Sequence, residues 1–556
     1  MATVDLIIVG AGLHGLIMAK TYLEVHPASN ILVVDESASI GGTWARERLY
    51  PGLKTNNVFG SYELRDFPMV PGKYGTKGDV NGHIPGEVVH VYWADVAEHY
   101  GITECLRLRT RVVEANSNEQ GVWSVCLQSL DSGRETVLGK RLVIATGLTS
   151  KPNIPSIPGS ETFNRPVIHS KQLRQQASTL SQCKRVVVVG GNKSAWDTCY
   201  TAARNGAQVD MVIRPSGGGP SYLWPRRFSF GPFKTSLAKL SLTRFFALLD
   251  PAPFGNGPFS WLKRFLHRAV LGQLLVRFFW TFLDSLIRRI NGYNTHPELK
   301  KLEPWTTPFW MGNSLGIHNY ETSWFDLVRE GKINIHIADL AAVSDGKVHL
   351  ANGDMLDADA LVLCTGWATD IPVRLDIPEI DAGEAKEAVR TVYESIPYLS
   401  NMPRRTPNAP GYENFATSKS SPLLYRDILP VQERFMQQKN LAFIGMSISI
   451  QAVPVAQAQA LWITALFAGK LHLGQERIMR TAVLDRKYGE IRRPHETGGL
   501  AGRHGDFVFD SLPYIDELLD DLGIECKRKR NWWRELTEAY SANDYRGIVQ
   551  EWVNKK

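Results

Sequence analysis

The chain is 556 residues long, 44% hydrophobic and 21% charged, with a formal net charge of +7. That length exceeds one hydrophobic core and predicts two or three domains; the modest positive charge suits anionic cofactors or a membrane surface but lacks a nucleic-acid binder's dense basic face. The six cysteines (Cys105, Cys126, Cys183, Cys199, Cys364, Cys526) show no CxxC pair and no metal-ligand spacing, which predicts a reduced compartment, no metal site and no disulfide reductase.

No basic and apolar leader precedes the opening stretch, residues 4–35, so the N-terminus is expected to belong to the fold. Within it, Leu6–Val9 is a continuous apolar run of the kind that fills a buried parallel strand, and it ends in Gly10-Ala11-Gly12-Leu13-His14-Gly15. A helical run and a second apolar strand, Ile31–Val34, follow. In that setting Gly10 turns the chain, Gly12 lets the backbone approach a pyrophosphate, and Gly15 lets the helix lie close on the strand. The helix N-terminus supplies N–H groups and a positive dipole end to phosphates. Asp35, at the tip of the second strand, is placed to accept hydrogen bonds from ribose hydroxyls. The strand, turn, helix, strand, acid order predicts a dinucleotide site rather than an ordinary βαβ turn.

Next comes Gly41-Gly42-Thr43-Trp44, in which two glycines before a planar aromatic suit a backbone passing a flat ring system. The loop Tyr50-Pro51-Gly52-Leu53-Lys54-Thr55-Asn56 follows. Residues 88–100 have helical spacing, 109–114 and 121–127 read as strands, and 141–147 (RLVIATG) reads as a buried strand ending in Ala-Thr-Gly. The proline-rich 151–159 reads as a semi-rigid connector into a second domain.

A second cradle runs from Arg185–Val189 through Gly190-Gly191-Asn192-Lys193-Ser194-Ala195-Trp196-Asp197 to a strand, Gln208–Ile213, tipped by Arg214. Asp35 would repel a 2′-phosphate where Arg214 would pair with one, so the first site suits FAD and the second NADPH. Asn192 stands where the middle glycine belongs, a departure excused by asparagine's tolerance of left-handed φ, and Ala195 takes the last glycine position.

Residues 215–308 form an insertion in which aromatic and basic residues interleave. An apolar residue recurs every fourth position from Leu262 to Ile290, a row that drifts around a straight helix and predicts a bend at Gly272. Charges interrupt every apolar run, which excludes a bilayer span. The insertion reads as a helical cap over the cofactor site, with a surface that rests on a membrane through 256–292 or admits a greasy substrate as the alternative. Residues 361–366 (LVLCTG) repeat the Thr-Gly strand end and mark the return crossing, 440–445 (NLAFIG) is a further buried strand, and Ala452–Phe467 is a helix whose N-terminus can reach a flavin ring. Residues 510–552, with Trp532-Trp533, read as amphipathic packing helices.

Taken together, GAGLHG, GGTW, YPGLKTN, the ATG strand end, GGNKSAWD with Arg214, and the CTGW strand end resemble the flavin-containing monooxygenase family of FAD- and NADPH-dependent flavoproteins. The motifs run in the family's order and cover most of the chain except the insertion and the tail. The resemblance implies an α/β fold with two Rossmann-like, three-layer dinucleotide-binding domains, a helical insertion and C-terminal helices. It implies an FAD-binding domain made of residues 1–158 and 367–556, and an NADPH-binding domain, 159–366, that carries the insertion. It assigns Gly10, Gly12, Gly15, Asp35, Gly42, Thr43 and Trp44 to FAD, with Glu36, Thr146 and Gly445 as further contacts, and Gly190, Ser194 and Arg214 to NADPH.

In such enzymes NADPH reduces the flavin, O2 adds to it, and the resulting hydroperoxide passes one oxygen atom to a small substrate. Asn56 is then the candidate catalytic residue, a neutral amide that donates to the peroxide without protonating it; an Asx-turn role is the alternative. One family run is incomplete: Phe163 and His169 are present but Arg165 replaces its glycine, and His169 reads as a linker hydrogen-bonder. The Baeyer–Villiger branch's Arg-Cys-Asp element is absent from 53–56, so electrophilic oxygenation of a small, apolar substrate, in secondary metabolism, ranks above lactone formation. A flavin reductase or oxidase, and a non-catalytic flavin-binding protein, are the competing readings. A cytoplasmic location is expected, with peripheral attachment to an intracellular membrane as the alternative.

Overall fold

Short, largely apolar runs rich in valine, isoleucine and leucine build two parallel sheets, because a parallel sheet is covered on both faces and its central strands are apolar nearly throughout. The computed structural model describes residues 3–70, 72–74, 82–131, 133–226, 228–230, 233–253, 257–312, 314–378, 385–411 and 421–555. The first sheet is ordered Leu441–Phe443, Leu142–Ile144, Leu6–Val9, Ile31–Val34, Leu106–Arg107, so strands from both ends of the chain share it. The second is ordered Val167–His169, Ala360–Leu363, Arg185–Val189, Gln208–Ile213, Ile333–Ile337. An antiparallel meander of Thr110–Ser117, Trp123–Ser129 and Gly133–Gly139 accompanies the first sheet.

The helix Leu13–Val25 packs along Ala452–Phe467, which is apolar all round and therefore buried on nearly every side. The two segments that join the sheets lie side by side. Lys151–Pro152 pairs antiparallel with Trp367–Ala368, the Asn153 N–H donates to Gly366 O at 3.0 Å, and the Thr365 hydroxyl donates to Asn153 O at 2.5 Å.

The insertion differs from expectation in two ways. Its helices are Ser260–Arg268 and Val270–Asn291, and the break falls at Ala269, whose backbone is extended (φ −76°, ψ 142°), rather than at Gly272. Gly272 serves the crossing of the two helices, where a Cβ would sit 2.2 Å from Phe265 O. The second helix, 22 residues with a mean hydropathy of 1.4, is long and apolar enough to cross a membrane, so the exclusion of a span from its charges does not hold. Residue 256, where the expected membrane contact begins, lies outside the described residues. Of the drifting apolar row, Leu266 is buried on the first helix while Val270, Leu274, Phe278, Phe282 and Ile290 are exposed; the residues that turn inward on the second helix, Val276, Trp280, Leu283 and Ile287, lie outside that row.

Candidate cofactor site

At the C-terminal end of Leu6–Val9 the backbone turns at Gly10 with φ +117°, and a Cβ there would lie 2.4 Å from Ala145 O on the neighbouring strand. A Cβ on Gly15 would lie 1.9 Å from Gly10 O, so only glycine lets the helix start this close to the strand. Gly12 caps the helix in extended conformation without a side-chain bond, leaving the first N–H groups open. Asp35 does more than face a ribose: its Oδ2 accepts the Ala11 N–H at 2.7 Å and its Oδ1 the Ser37 N–H at 2.8 Å, which closes the turn. A carboxylate has about four lone-pair sites, so acceptor capacity remains for hydroxyls. The Gly41-Gly42 pair brings its own backbone against Gly12, with a Gly42 Cβ only 3.0 Å from Gly12 Cα.

A cavity of about 560 Å³ opens at this turn, within the range of about 300–1,000 Å³ usual for ligand sites. Gly10, Gly12, Asp35 and Glu36 line it, as do Gly42, Thr43, Trp44 and Thr146. Ala452 at the start of the buried helix reaches it too. The Thr146 hydroxyl is buried with no partner, and so is Nε2 of Gln451, the residue capping that helix. These orphaned polar atoms and the open helix N-terminus fit a polar, phosphate-bearing ligand. Gly15 and Gly445 stay outside the lining. Gly445 is small because the His14 ring lies on it, 2.4 Å from where its Cβ would be, and burial holds that imidazole neutral with its pKa pushed down to about 4.

The cavity's cations escaped sequence reasoning. Arg48, Arg111, Lys151 and Lys171 all line it, against the acids Asp35 and Glu36. Arg111 Nε donates to Glu36 at 2.9 Å, Lys171 Nζ donates to Ser150 O at 2.6 Å, and the Arg48 guanidinium lies over the Trp367 ring at 4.9 Å. Burial pushes Arg48 down to about 10 and also lowers Lys171. Four residues spread from 48 to 171 form no motif, and only the fold collects them. No residue of 215–308 lines this cavity among those described, so the insertion is not its cap.

The second cradle repeats the first turn's geometry. Gly190 has φ +146°, and its Cβ would meet Cys364 O at 2.5 Å, as Gly10 meets Ala145. Asn192 caps the helix Lys193–Arg204 at φ −104°, ψ −178°, so it needs no left-handed tolerance; it copies the extended backbone of Gly12, and its side-chain oxygen accepts from Ser221 Oγ at 3.0 Å. Ser194 is half-buried on the first turn of this helix. Arg214 is exposed at the strand tip, its side chain running along Gly217. Asp35 and Arg214 thus belong to different sheets.

Asn56 lies on Lys54–Val58, outside the cavity lining, and its side-chain oxygen is buried without a partner, so it makes no Asx turn there. Its neighbours are held from three directions. Thr55 Oγ1 donates to Asn57 O at 2.6 Å and accepts the Ile84 N–H at 3.0 Å. The Asn57 amide donates to Ile450 O at 3.0 Å, two residues before Ala452. From the loop after the short strand Leu315–Ile317, the Asn319 amide donates to Thr55 O at 3.2 Å.

Asp197, on the second cradle's helix, is the buried hub of that contact. It accepts from Tyr50 OH at 2.7 Å and Tyr320 OH at 2.8 Å and is ion-paired with Lys193 at 2.5 Å. Burial, then the Asp197 charge, drives both tyrosines well above their ordinary pKa, so they stay protonated donors. His169, at the end of the edge strand of the second sheet, meets Gly366 O at the return crossing through Nε2 at 3.1 Å, and its Nδ1 accepts the Lys171 N–H at 3.1 Å.

Residues 7–222 match the family model described as pyridine nucleotide-disulphide oxidoreductase. Over 99% of its length the chain is 33% identical to the FAD-dependent monooxygenase resA of Aspergillus sclerotiorum, of which it covers 98%. It is 34% identical to an FAD-dependent monooxygenase of Pyrenophora dematioidea, over 95% of this chain and 99% of that protein. A solved structure of an oxidized steroid monooxygenase bound to NADP superposes with a TM-score of 0.61 at 16% identity, covering 94% of this chain and 99% of the other, and so shares the fold.

Proposed function

The chain belongs to the FAD-dependent monooxygenases, and on that premise we propose that it consumes NADPH to place one oxygen atom of O2 on a small, apolar organic substrate, in secondary metabolism. FAD takes the cavity of the first cradle, within a domain made of residues 1–158 and 367–556, and NADPH the second cradle, within 159–366. FAD supplies, once reduced, the activation of O2 that no side chain offers. Gly10, Gly12 and Gly15 let its pyrophosphate come close to the open N–H groups of the helix start, Asp35 and Glu36 receive ribose hydroxyls, and Arg48 and Lys171 offset phosphate charge. Gly42, Thr43 and Trp44 form the wall beside it, Thr146 gives it a hydroxyl, and Gly445 makes room for the His14 ring beneath the turn. On the second cradle Gly190 and Ser194 serve the NADPH pyrophosphate and Arg214 its 2′-phosphate. Asn56 donates an amide N–H beside the site of oxygen transfer.

The observation that carries this reading is the polarity contrast between two turns of equal geometry, with Asp35 at one strand tip and Arg214 at the other. Lys54 in the Asn56 loop pairs with Glu321, and the loop contains no guanidinium, which favours electrophilic oxygenation of sulfur, nitrogen or an alkene over lactone formation. The test is single-turnover mixing with NADPH followed by product analysis under 18O2. NADPH should bleach the bound flavin, and one labelled oxygen should enter an apolar sulfide, amine or alkene. Hydrogen peroxide release equal to NADPH consumption with every acceptor tried would make the protein an oxidase instead.

A further inference from the structure

The insertion carries an apolar face that the protein leaves uncovered. On the helix Val270–Asn291 the inward residues Val276, Trp280, Leu283 and Ile287 pack into the body, and Trp280 Nε1 donates to Leu249 O at 2.8 Å. The opposite side presents Leu271, Leu274, Leu275, Phe278 and Phe282, with Leu271 60% and Phe278 70% exposed. Spaced at three and four residues, they form one stripe over the first three turns. Trp261 and Phe265 on the preceding helix are exposed beside it. A helix anchored along one side by protein cannot be surrounded by lipid, so its length does not make it a span; it can only lie flat.

A second exposed aromatic group adjoins. The helix Arg244–Leu249 contacts both Ser260–Arg268 and Trp532–Thr537. It is fixed there by Arg244, which is buried in ion pairs with Asp516 and Glu535. Phe245 is exposed on it and meets Phe279 edge-on at 6.5 Å, while Trp532 and Trp533 stand 68% and 59% exposed on the neighbouring helix.

Charge decides what covers this surface. Arg264, Arg268, Arg277 and Arg289 are exposed around the hairpin, and Lys527, Arg530 and Arg534 flank the tryptophan pair. The acid of the long helix, Asp284, is already taken by Tyr222 OH at 2.6 Å and by Arg288. A second copy laid on the same face would oppose cation to cation, which disfavours a twofold dimer. The stripe's residues line no wall of the cofactor cavity, so the face is not an extension of that site. An apolar stripe with exposed tryptophans and a basic rim matches an interfacial element on negatively charged lipid.

We propose that the hairpin of residues 260–291, together with the Trp532-Trp533 helix, docks this protein flat onto the surface of an anionic lipid bilayer. The test is flotation of the FAD-loaded full chain with vesicles of phosphatidylcholine alone or mixed with phosphatidylserine, with light scattering to read its mass. The protein should float with the anionic vesicles, be released by high salt, and stay monomeric in solution. Leu274→Glu with Phe278→Glu should cut binding at least about tenfold, and Arg264→Gln and Arg289→Gln about fivefold each, with FAD content and Tm unchanged. If the glutamate pair loses FAD, Leu274→Ser with Phe278→Ser replaces it. No flotation on anionic vesicles, flotation indifferent to these substitutions, or a dimer that the same substitutions dissolve would overturn the proposal.

Discussion

The glycines of the first turn separate folding from cofactor binding, because the space beside each differs. In Gly12→Ala the new methyl meets Gly42 Cα at 3.5 Å, an ordinary contact, on a backbone of φ −76° and ψ −179° that any residue adopts. The reduced entropy of the unfolded chain, about 0.4–1 kcal/mol, is offset by alanine's weakness as an N-cap, so stability should change by less than about 1 kcal/mol. The methyl nevertheless fills the side from which a pyrophosphate would approach, and FAD affinity should drop at least about tenfold, about 1.4 kcal/mol. Gly15→Ala is the opposite case. Its methyl would stand 1.9 Å from Gly10 O, and strand and helix must part by more than about 1 Å to restore a contact near 3.5 Å. Overpacking costs about 1–3 kcal/mol where side chains can rotate away, and here the neighbour is backbone, so the loss should exceed that. Urea unfolding followed by circular dichroism measures the first quantity, and calorimetric titration of apoprotein with FAD the second. Wild-type FAD affinity in Gly12→Ala, or a wild-type urea midpoint in Gly15→Ala, would refute the reasoning.

Arg214→Ala should raise KM for NADPH far more than for NADH, because only the former carries the 2′-phosphate; equal losses in steady-state kinetics would remove Arg214 from that role. Tyr50→Phe and Tyr320→Phe each delete a hydrogen bond to a buried carboxylate and should each cost about 1.5–3 kcal/mol in chemical unfolding. With the Asn56 loop less firmly held, peroxide release per NADPH consumed should also rise, which a coupled peroxidase assay would detect. His14 is neutral in the folded protein down to about pH 4, whereas its unfolded imidazole ionises near 6.5. A depressed histidine pKa contributes fully above pH 6.5 and loses that contribution as pH falls toward 4. Between pH 6.5 and 5 the stability of wild type should therefore drop relative to His14→Gln by about 2 kcal/mol, read from urea midpoints at both pH values.

Both turns were legible in the sequence because each of their features is local: an apolar strand, a glycine whose φ is positive, a helix, and a strand tip of defined charge. Even their distant partners carried a mark, since the Ala145 and Cys364 carbonyls that exclude a Cβ at Gly10 and Gly190 sit in matching Thr-Gly strand ends. What joins the turns was not legible. Tyr50, Asp197 and Tyr320 acquire their meaning from one carboxylate that two parts of the chain surround, and no periodicity announces that. Arg48 and Lys171 likewise become neighbours only when the connector folds back. The insertion misled in a different way: a row of leucines and phenylalanines does not say which of them the body will cover, and five of its eight members, Val270, Leu274, Phe278, Phe282 and Ile290, face outward.

The paired ribbon at Lys151–Pro152 and Trp367–Ala368 has a topological consequence. The chain leaves the first sheet and returns to it through the same doorway, although part of what lies between packs back on the C-terminal helices, with Arg244 against Asp516 and Glu535. A guest whose two ends touch can be lodged in a host sheet without displacing any other strand of that sheet, since the gap between its ends is short enough for a tight turn to bridge. Grafting a homologous guest across this doorway would thus exchange the second cradle while leaving the first sheet's strand order whole, provided that its insertion still answers the buried acids Asp516 and Glu535.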